Sequence, residues 1–198
     1  NLLEGALIVI FILVLFLGNL RAGLIVATAI PLSLLFALGM MNLFGVSANL
    51  MSLGAIDFGI IVDGSVIVVE AVMHHLAIRK NRQRLTQAQM DEEVFHSASK
   101  IRSSAAFGEI IILMVYIPIL TLVGVEGKMF RPMAQTVVFA ILGALILSLT
   151  YIPAMSALLL PKTVSGKRSF AERMISWLNR HYQPLFVRSI RLRGWIIG

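Results

Sequence analysis

The sequence predicts an all-α membrane protein: a polytopic transmembrane helix bundle with an amphipathic helix at the cytoplasmic interface. Three observations carry that expectation. Of the 198 residues, 58% are hydrophobic and 14% charged, whereas soluble domains run about 45–50% apolar and about 25% charged. Mean hydropathy is +0.89, and the apolar residues fall in blocks long enough to cross a hydrocarbon core of about 30 Å, which takes about 20 helical residues. The basic residues, finally, gather in connections that can all lie on one side of a membrane. The chain has no cysteine, so disulfides, thiolate metal sites and thiol catalysis are excluded.

Five blocks read as spans, at about 2–20, 22–44, 48–76, 104–123 and 132–160, and residues 194–198 read as the start of a further one. The first block lacks a basic leader and is followed by more blocks, so it reads as a span rather than a cleaved signal. Gly18-Asn19-Leu20-Arg21 is a tight turn, and Asn42–Ser47 is a short loop without charge. Residues 77–103 form a polar loop and Gly124–Arg131 a short one. In the basic segment 161–193, Phe170, Met174, Ile175, Trp177 and Leu178 recur at helical spacing. That pattern predicts an amphipathic helix on the membrane surface, with Trp177 and Tyr182 at headgroup depth; a soluble helical linker is the alternative. Pro31, Pro118 and Pro153 lie inside apolar runs and are expected to kink their helices.

Orientation follows from the cations. Arg21, six basic residues in 77–103 and eight in 161–193 place fifteen of the seventeen Lys and Arg on one side, leaving Lys128 and Arg131 on the other. The crowded side is cytoplasmic by the positive-inside rule. The net charge of +7 is therefore a topology signal, and no nucleic-acid partner is expected. Residue 1 falls on the outer side, which leads us to expect an earlier crossing and an external domain before it.

The third block holds the chemistry. Between Leu53 and Glu70 sit three carboxylates, Asp57, Asp63 and Glu70. Each ionised acid near mid-bilayer costs about 2.5–3.5 kcal/mol. Three facing lipid would cost about 8–10 kcal/mol, close to the whole stability of a typical domain. They are expected instead to face protein or a water-filled cavity, where such acids mark an ion path or proton relay. On one continuous helix, Asp63 and Glu70 share a face about 10 Å apart along the axis, and Asp57 points about 120° away. Asp57 lies nearer the outside, Asp63 near the middle and Glu70 toward the cytoplasm, a spread that suits stepwise proton passage better than a metal cage. A buried Asp can load and release protons because desolvation raises a carboxyl's pKa and a nearby cation lowers it. Gly54, Gly59, Gly64 and Ser65 would let neighbouring helices approach closely. Structural hydrogen bonding between helices is the bland alternative, and Glu70, near the basic interface, is the acid it fits best.

Asp57-Phe58-Gly59-Ile60-Ile61-Val62-Asp63-Gly64, followed by Val68-Val69-Glu70, closely resembles the fourth transmembrane helix of heavy-metal efflux pumps of the resistance-nodulation-division (RND) superfamily, cobalt-zinc-cadmium type. Gly18-Asn19-Leu20-Arg21, Ile30-Pro31-Leu32-Ser33 and the stretch from Gly124 to Met133 agree with it, so the likeness covers essentially the whole chain. The resemblance assigns the five blocks to helices two to six and the amphipathic segment to the surface helix before helix seven. It implies a homotrimeric proton antiporter, not an enzyme, in the Gram-negative inner membrane, joined to a periplasmic adaptor and an outer-membrane channel. Its cargo would be a divalent metal cation of the zinc, cobalt, cadmium or nickel class, exchanged for protons, with no bound cofactor. The family's essential acids map onto Asp57, Asp63 and Glu70, and Asp63 would engage a lysine of helix ten, outside this chain. The metal-selecting domains would also lie outside it. Ala71 stands where the family usually has Asn, and its methyl group offers no side-chain hydrogen bond there.

Several other features bear on that assignment. Glu109 has no role in the family pattern and is expected to reach the cytoplasmic interface. His74 and His75 point about 100° apart on a helix and read as interfacial rather than as metal ligands. Met40, Met41, Met51, Met73 and Met114 could pass Cu(I) or Ag(I), but methionine also fills apolar gaps. An RND exporter of Cu(I), Ag(I) or organic drugs is the main alternative. An intramembrane aspartyl protease needs two carboxyls sharing a proton, and no second helix offers an Asp.

Overall fold

The computed structural model describes residues 2–47, 54, 56–78, 85–161, 180 and 182. Its elements, in order, are α1 (Leu2–Leu17), α2 (Leu20–Ala27), α3 (Ala29–Leu43), α4 (Phe58–Ile78), α5 (Gln87–Leu120), α6 (Gly124–Leu149) and α7 (Tyr151–Leu159), and no strand occurs among the described residues. Among the described residues, four segments are long and apolar enough to cross a membrane: Leu20–Leu43, Phe58–Ala77, Gln87–Leu120 and Gly124–Leu149. The first block appears as a shorter apolar helix. The expected surface helix of 161–193 and the further span at 194–198 lie outside the described residues, apart from Pro161, Arg180 and Tyr182.

The turn after α1 forms as its residue types dictate. Gly18 takes a left-handed φ of 59°, which a residue without Cβ adopts at little cost, and its N–H donates to the Val14 carbonyl at 3.0 Å. Asn19 then caps α2, accepting the Arg21 N–H at 3.0 Å. The hairpin closes tightly, because a Cβ on Gly23 would stand 2.5 Å from Val14 Cγ2 and 2.9 Å from its Cα.

Two proline positions break the helices in the same way. Pro31 has no N–H to offer the carbonyl four residues back, and its ring crowds that carbonyl; the helix ends at Ala27 and resumes at Ala29. Pro153 has the same effect, ending α6 at Leu149 before α7 begins at Tyr151. In both breaks a threonine turns its hydroxyl back on the previous turn. Thr28 Oγ1 donates to Ile25 O at 2.6 Å and Thr150 Oγ1 to Ile146 O at 2.6 Å. Pro118, the third proline expected to kink a span, lies in the last turn of α5, which ends two residues later.

Residues 87–103, expected as loop, are helix continuous with the span beyond them, so α5 is 34 residues long. Its start is fixed by a capping box: Thr86 Oγ1 accepts the Gln89 N–H, and Gln89 Oε1 accepts the Thr86 N–H at 3.1 Å. Polar but helix-favouring residues follow it. Residues 124–131 likewise belong to α6 rather than to a loop. The core runs through α4, which touches every other described helix, while α3 packs most extensively on α6, helped by stacked Phe44 and Phe139 rings 5.5 Å apart.

Candidate functional site

Helix α4 has two unlike faces. Ile61, Ser65, Val68, Val69 and Val72 are buried to 2% exposure or less, with Phe58, Val62 and Leu76 beside them. The opposite stripe, Gly59, Asp63, Glu70, His74 and Ala77, is exposed. At 100° per residue these five fall within about 40° of one line, so Asp63 and Glu70 do share a face, and it is the face that the other described helices leave open. No ion pair among the described residues includes Asp63.

Asp57 stands differently from the other two. It is not helical and precedes α4, where its Oδ1 accepts the Gly59 N–H at 2.8 Å and satisfies a donor that the first helical turn leaves unpaired. The angle expected from a continuous helix therefore does not describe it. Of the four small residues expected to admit a neighbouring helix, only Gly64 and Ser65 do so, and both are buried. Gly54 has nothing within 4 Å of where a Cβ would be, and Gly59 meets only Asp57.

Glu109 corrects the expectation drawn from sequence. It does not reach the interface; it is 3% exposed and packs on α4 and α6. A Cβ on Gly64 would overlap Glu109 Oε1, and would lie 2.9 Å from Glu109 Cδ and 3.3 Å from Ser148 Oγ. The missing side chain at position 64 is what makes room for the carboxyl. Glu109 is near enough to Asp63 for the two carboxyls to interact electrostatically. Among the described residues, Ser148 is its one hydrogen-bonding neighbour; in this arrangement the hydroxyl donates to Leu145 O at 3.0 Å, and neither carboxyl oxygen has a well-formed hydrogen bond. The sequence does hold a signal for this position. Counted from the capping box rather than from residue 104, Glu109 falls far along a helix and well clear of its polar start.

The two histidines separate as well. His74 is exposed on the acid stripe, whereas His75 Nε2 meets Glu93 Oε2 at 2.8 Å and its ring lies 5.5 Å from that of His96. This contact clips the end of α4 to the polar start of α5. The methionines fall in unlike surroundings. Met41 is buried, with its sulfur accepting from Thr136 Oγ1 at 3.5 Å, Met114 is exposed, and Met51 lies outside the described residues. Among the described residues no three His, Asp or Glu come together as a metal site.

The AcrB/AcrD/AcrF family model matches residues 1–198. The cobalt-zinc-cadmium resistance protein CzcA of Cupriavidus metallidurans is 52% identical over 193 residues, covering 96% of this chain and 18% of its own length. The nickel-cobalt-cadmium resistance protein NccA of Alcaligenes xylosoxydans xylosoxydans is 46% identical, again over 96% of this chain and 18% of its own. An X-ray structure of a heavy metal efflux pump superposes with a TM-score of 0.69 at 38% identity, covering 99% of this chain and 18% of that one. The chain thus spans about a fifth of the length of these relatives. A multi-pass helical block, matched by the family model over its whole length and carrying Asp63 and Glu70 on one exposed stripe, belongs to the AcrB/AcrD/AcrF family of RND efflux transporters.

Proposed function

We propose that this chain is the proton-relay part of an inner-membrane pump that exports divalent heavy-metal cations, of the zinc, cobalt, cadmium or nickel class, in exchange for protons. The observation that carries the reading is the stripe on α4. Two carboxyls sit about 10 Å apart on one face of a largely apolar helix, and that face is left open by every other described helix. Its natural cover is the remainder of the pump, of which the chain represents 18% of a relative's length. Asp63 is the central acceptor. A lysine from the missing half would hold it ionised, and losing that lysine's contact would let it take a proton from the outer side. Glu70 lies toward the cytoplasmic release side, and Asp57 at the outer mouth.

The metal preference rests on likeness to the cobalt-zinc-cadmium and nickel-cobalt-cadmium resistance proteins. On the same likeness the full-length pump is a homotrimer working with a periplasmic adaptor and an outer-membrane channel. In that pump, Asp63→Asn keeps the side chain's shape but cannot carry a proton. Metal resistance in a sensitive host should fall to that of the empty host, with expression and trimer formation unchanged. Normal resistance in the variant would overturn the relay.

A further inference from the structure

We propose that Glu109 is a fourth proton-carrying carboxyl, exchanging a proton with Asp63 during transport while Ser148 steadies its charged form. The proposal rests on the relay reading above and extends it from α4 to α5.

The placement of Glu109 is the first argument. In the apolar half of α5, Phe107, Ile110, Ile111, Met114, Val115 and Ile117 are exposed, and Ala105 and Glu109 are the buried residues. The seam where this helix meets the bundle thus carries a carboxyl where packing alone would favour a leucine. The seat is shaped for it, since Gly64 supplies no side chain to compete for the space.

The second argument is chemical. Apart from the Ser148 hydroxyl, Glu109 has among the described residues none of the donors that a structural carboxylate requires, and an ionised carboxylate buried without them is strongly disfavoured. A carboxyl so placed is suited to taking a proton from a neighbouring acid. Two carboxyls in one site do not readily ionise together, so Asp63 and Glu109 take turns. The step balances without a co-reactant. The O–H bond on an Asp63 oxygen breaks, one forms on a Glu109 oxygen, and the negative charge passes the opposite way. When Glu109 is ionised, the Ser148 hydroxyl can swing from the Leu145 carbonyl to the carboxylate beside it. Ser148 thus distinguishes two states with one proton.

The helices packed on α5 are α4, α6 and α7. Asp63 is the titratable group of α4 beside Glu109. Glu70, His74 and His75 lie further along that helix. On α6 the charged residues Glu126, Lys128 and Arg131 are at the far end from Ser148, and α7 brings only Tyr151.

The test uses the full-length pump in proteoliposomes with zinc chloride as the driving cargo, reading proton flux across a pH series. Infrared difference spectra record the carbonyl stretch of protonated carboxyl groups. Glu109→Gln should lower zinc-driven proton flux about 100-fold and remove one carbonyl band, with the trimer intact. Glu109→Asp retains a titrating group on a shorter stem and should restore part of the flux with a displaced pH profile. If Glu109→Gln matches the wild-type flux and pH profile while Asp63→Asn is dead, Glu109 is structural and the relay stands without it. If both variants run at the wild-type rate, the relay reading falls, and this proposal with it. Should Glu109→Gln fail to assemble, Glu109→Asp decides: an unchanged pH profile overturns the proposal.

Discussion

At position 64 a single methyl group separates packing from chemistry. The atoms it would displace are the tip of the Glu109 side chain, with Ser148 Oγ at 3.3 Å, and a flexible tip can swing aside. Gly64→Ala should therefore change the unfolding free energy of the solubilised pump by no more than about 1 kcal/mol. It would still move the carboxyl from Asp63, and a shift on the scale of 1 Å at a reacting group can cost about 100-fold in rate. Measuring thermal unfolding and zinc-driven proton flux on the same preparation checks the pair. A large loss of stability with normal flux would show that Gly64 serves packing alone. At this scale the sequence is partly legible. A spacing of seven puts Asp63 and Glu70 on one face, because helical periodicity alone determines that. Asp57 reads as part of the same helix because an apolar run does not reveal where the helix starts; its cap on Gly59 does. Glu109 is misplaced for a related reason, since the polar residues before it read as loop.

Helix boundaries are set by turn chemistry rather than by hydropathy. The capping box at Thr86 extends α5 well before its apolar part, and the prolines at 31 and 153 divide runs that hydropathy joins. The tight turn at Gly18 is legible because Gly and Asn there carry local signals independent of the rest of the fold. Close approach between helices is harder to foresee. Gly23 and Gly143 fit against Val14 and Phe36, whereas Gly54 meets nothing, and only the tertiary arrangement tells them apart. At Gly23 the obstruction includes the Val14 Cα, a backbone atom that cannot swing away. Gly23→Ala should accordingly destabilise the full-length protein by about 1–3 kcal/mol, visible as a lower unfolding temperature in detergent. An unchanged temperature would mean that the α1–α2 hairpin is looser than its contacts imply.

Across the whole molecule, α4 is enclosed on one side by the other described helices and open on the side that carries the acids. The proposed orientation puts the loop after α3 and the connection between α5 and α6 outside, and the start of α5 inside. Single cysteines at Ser47 and Leu122, in a full-length pump otherwise lacking cysteine, should react with a membrane-impermeant maleimide added to intact spheroplasts. A cysteine at Ala88, exposed in the first turn of α5, should react only after permeabilisation, and the reverse pattern would invert the topology. The family can be inferred from sequence because its acidic motif lies within this chain. The cover of the open face cannot, because on the proposed reading it comes from outside this chain. The paired breaks at Thr28 and Thr150 have a mechanical consequence for the block. Each proline has already removed one axial hydrogen bond, so flexing there sacrifices nothing that an unbroken rod would have to give up. The two short pieces, α2 and α7, touch each other and α4. Both jointed pieces thus bear directly on the acid-bearing helix, so a bend at either break is passed to it without an intermediary.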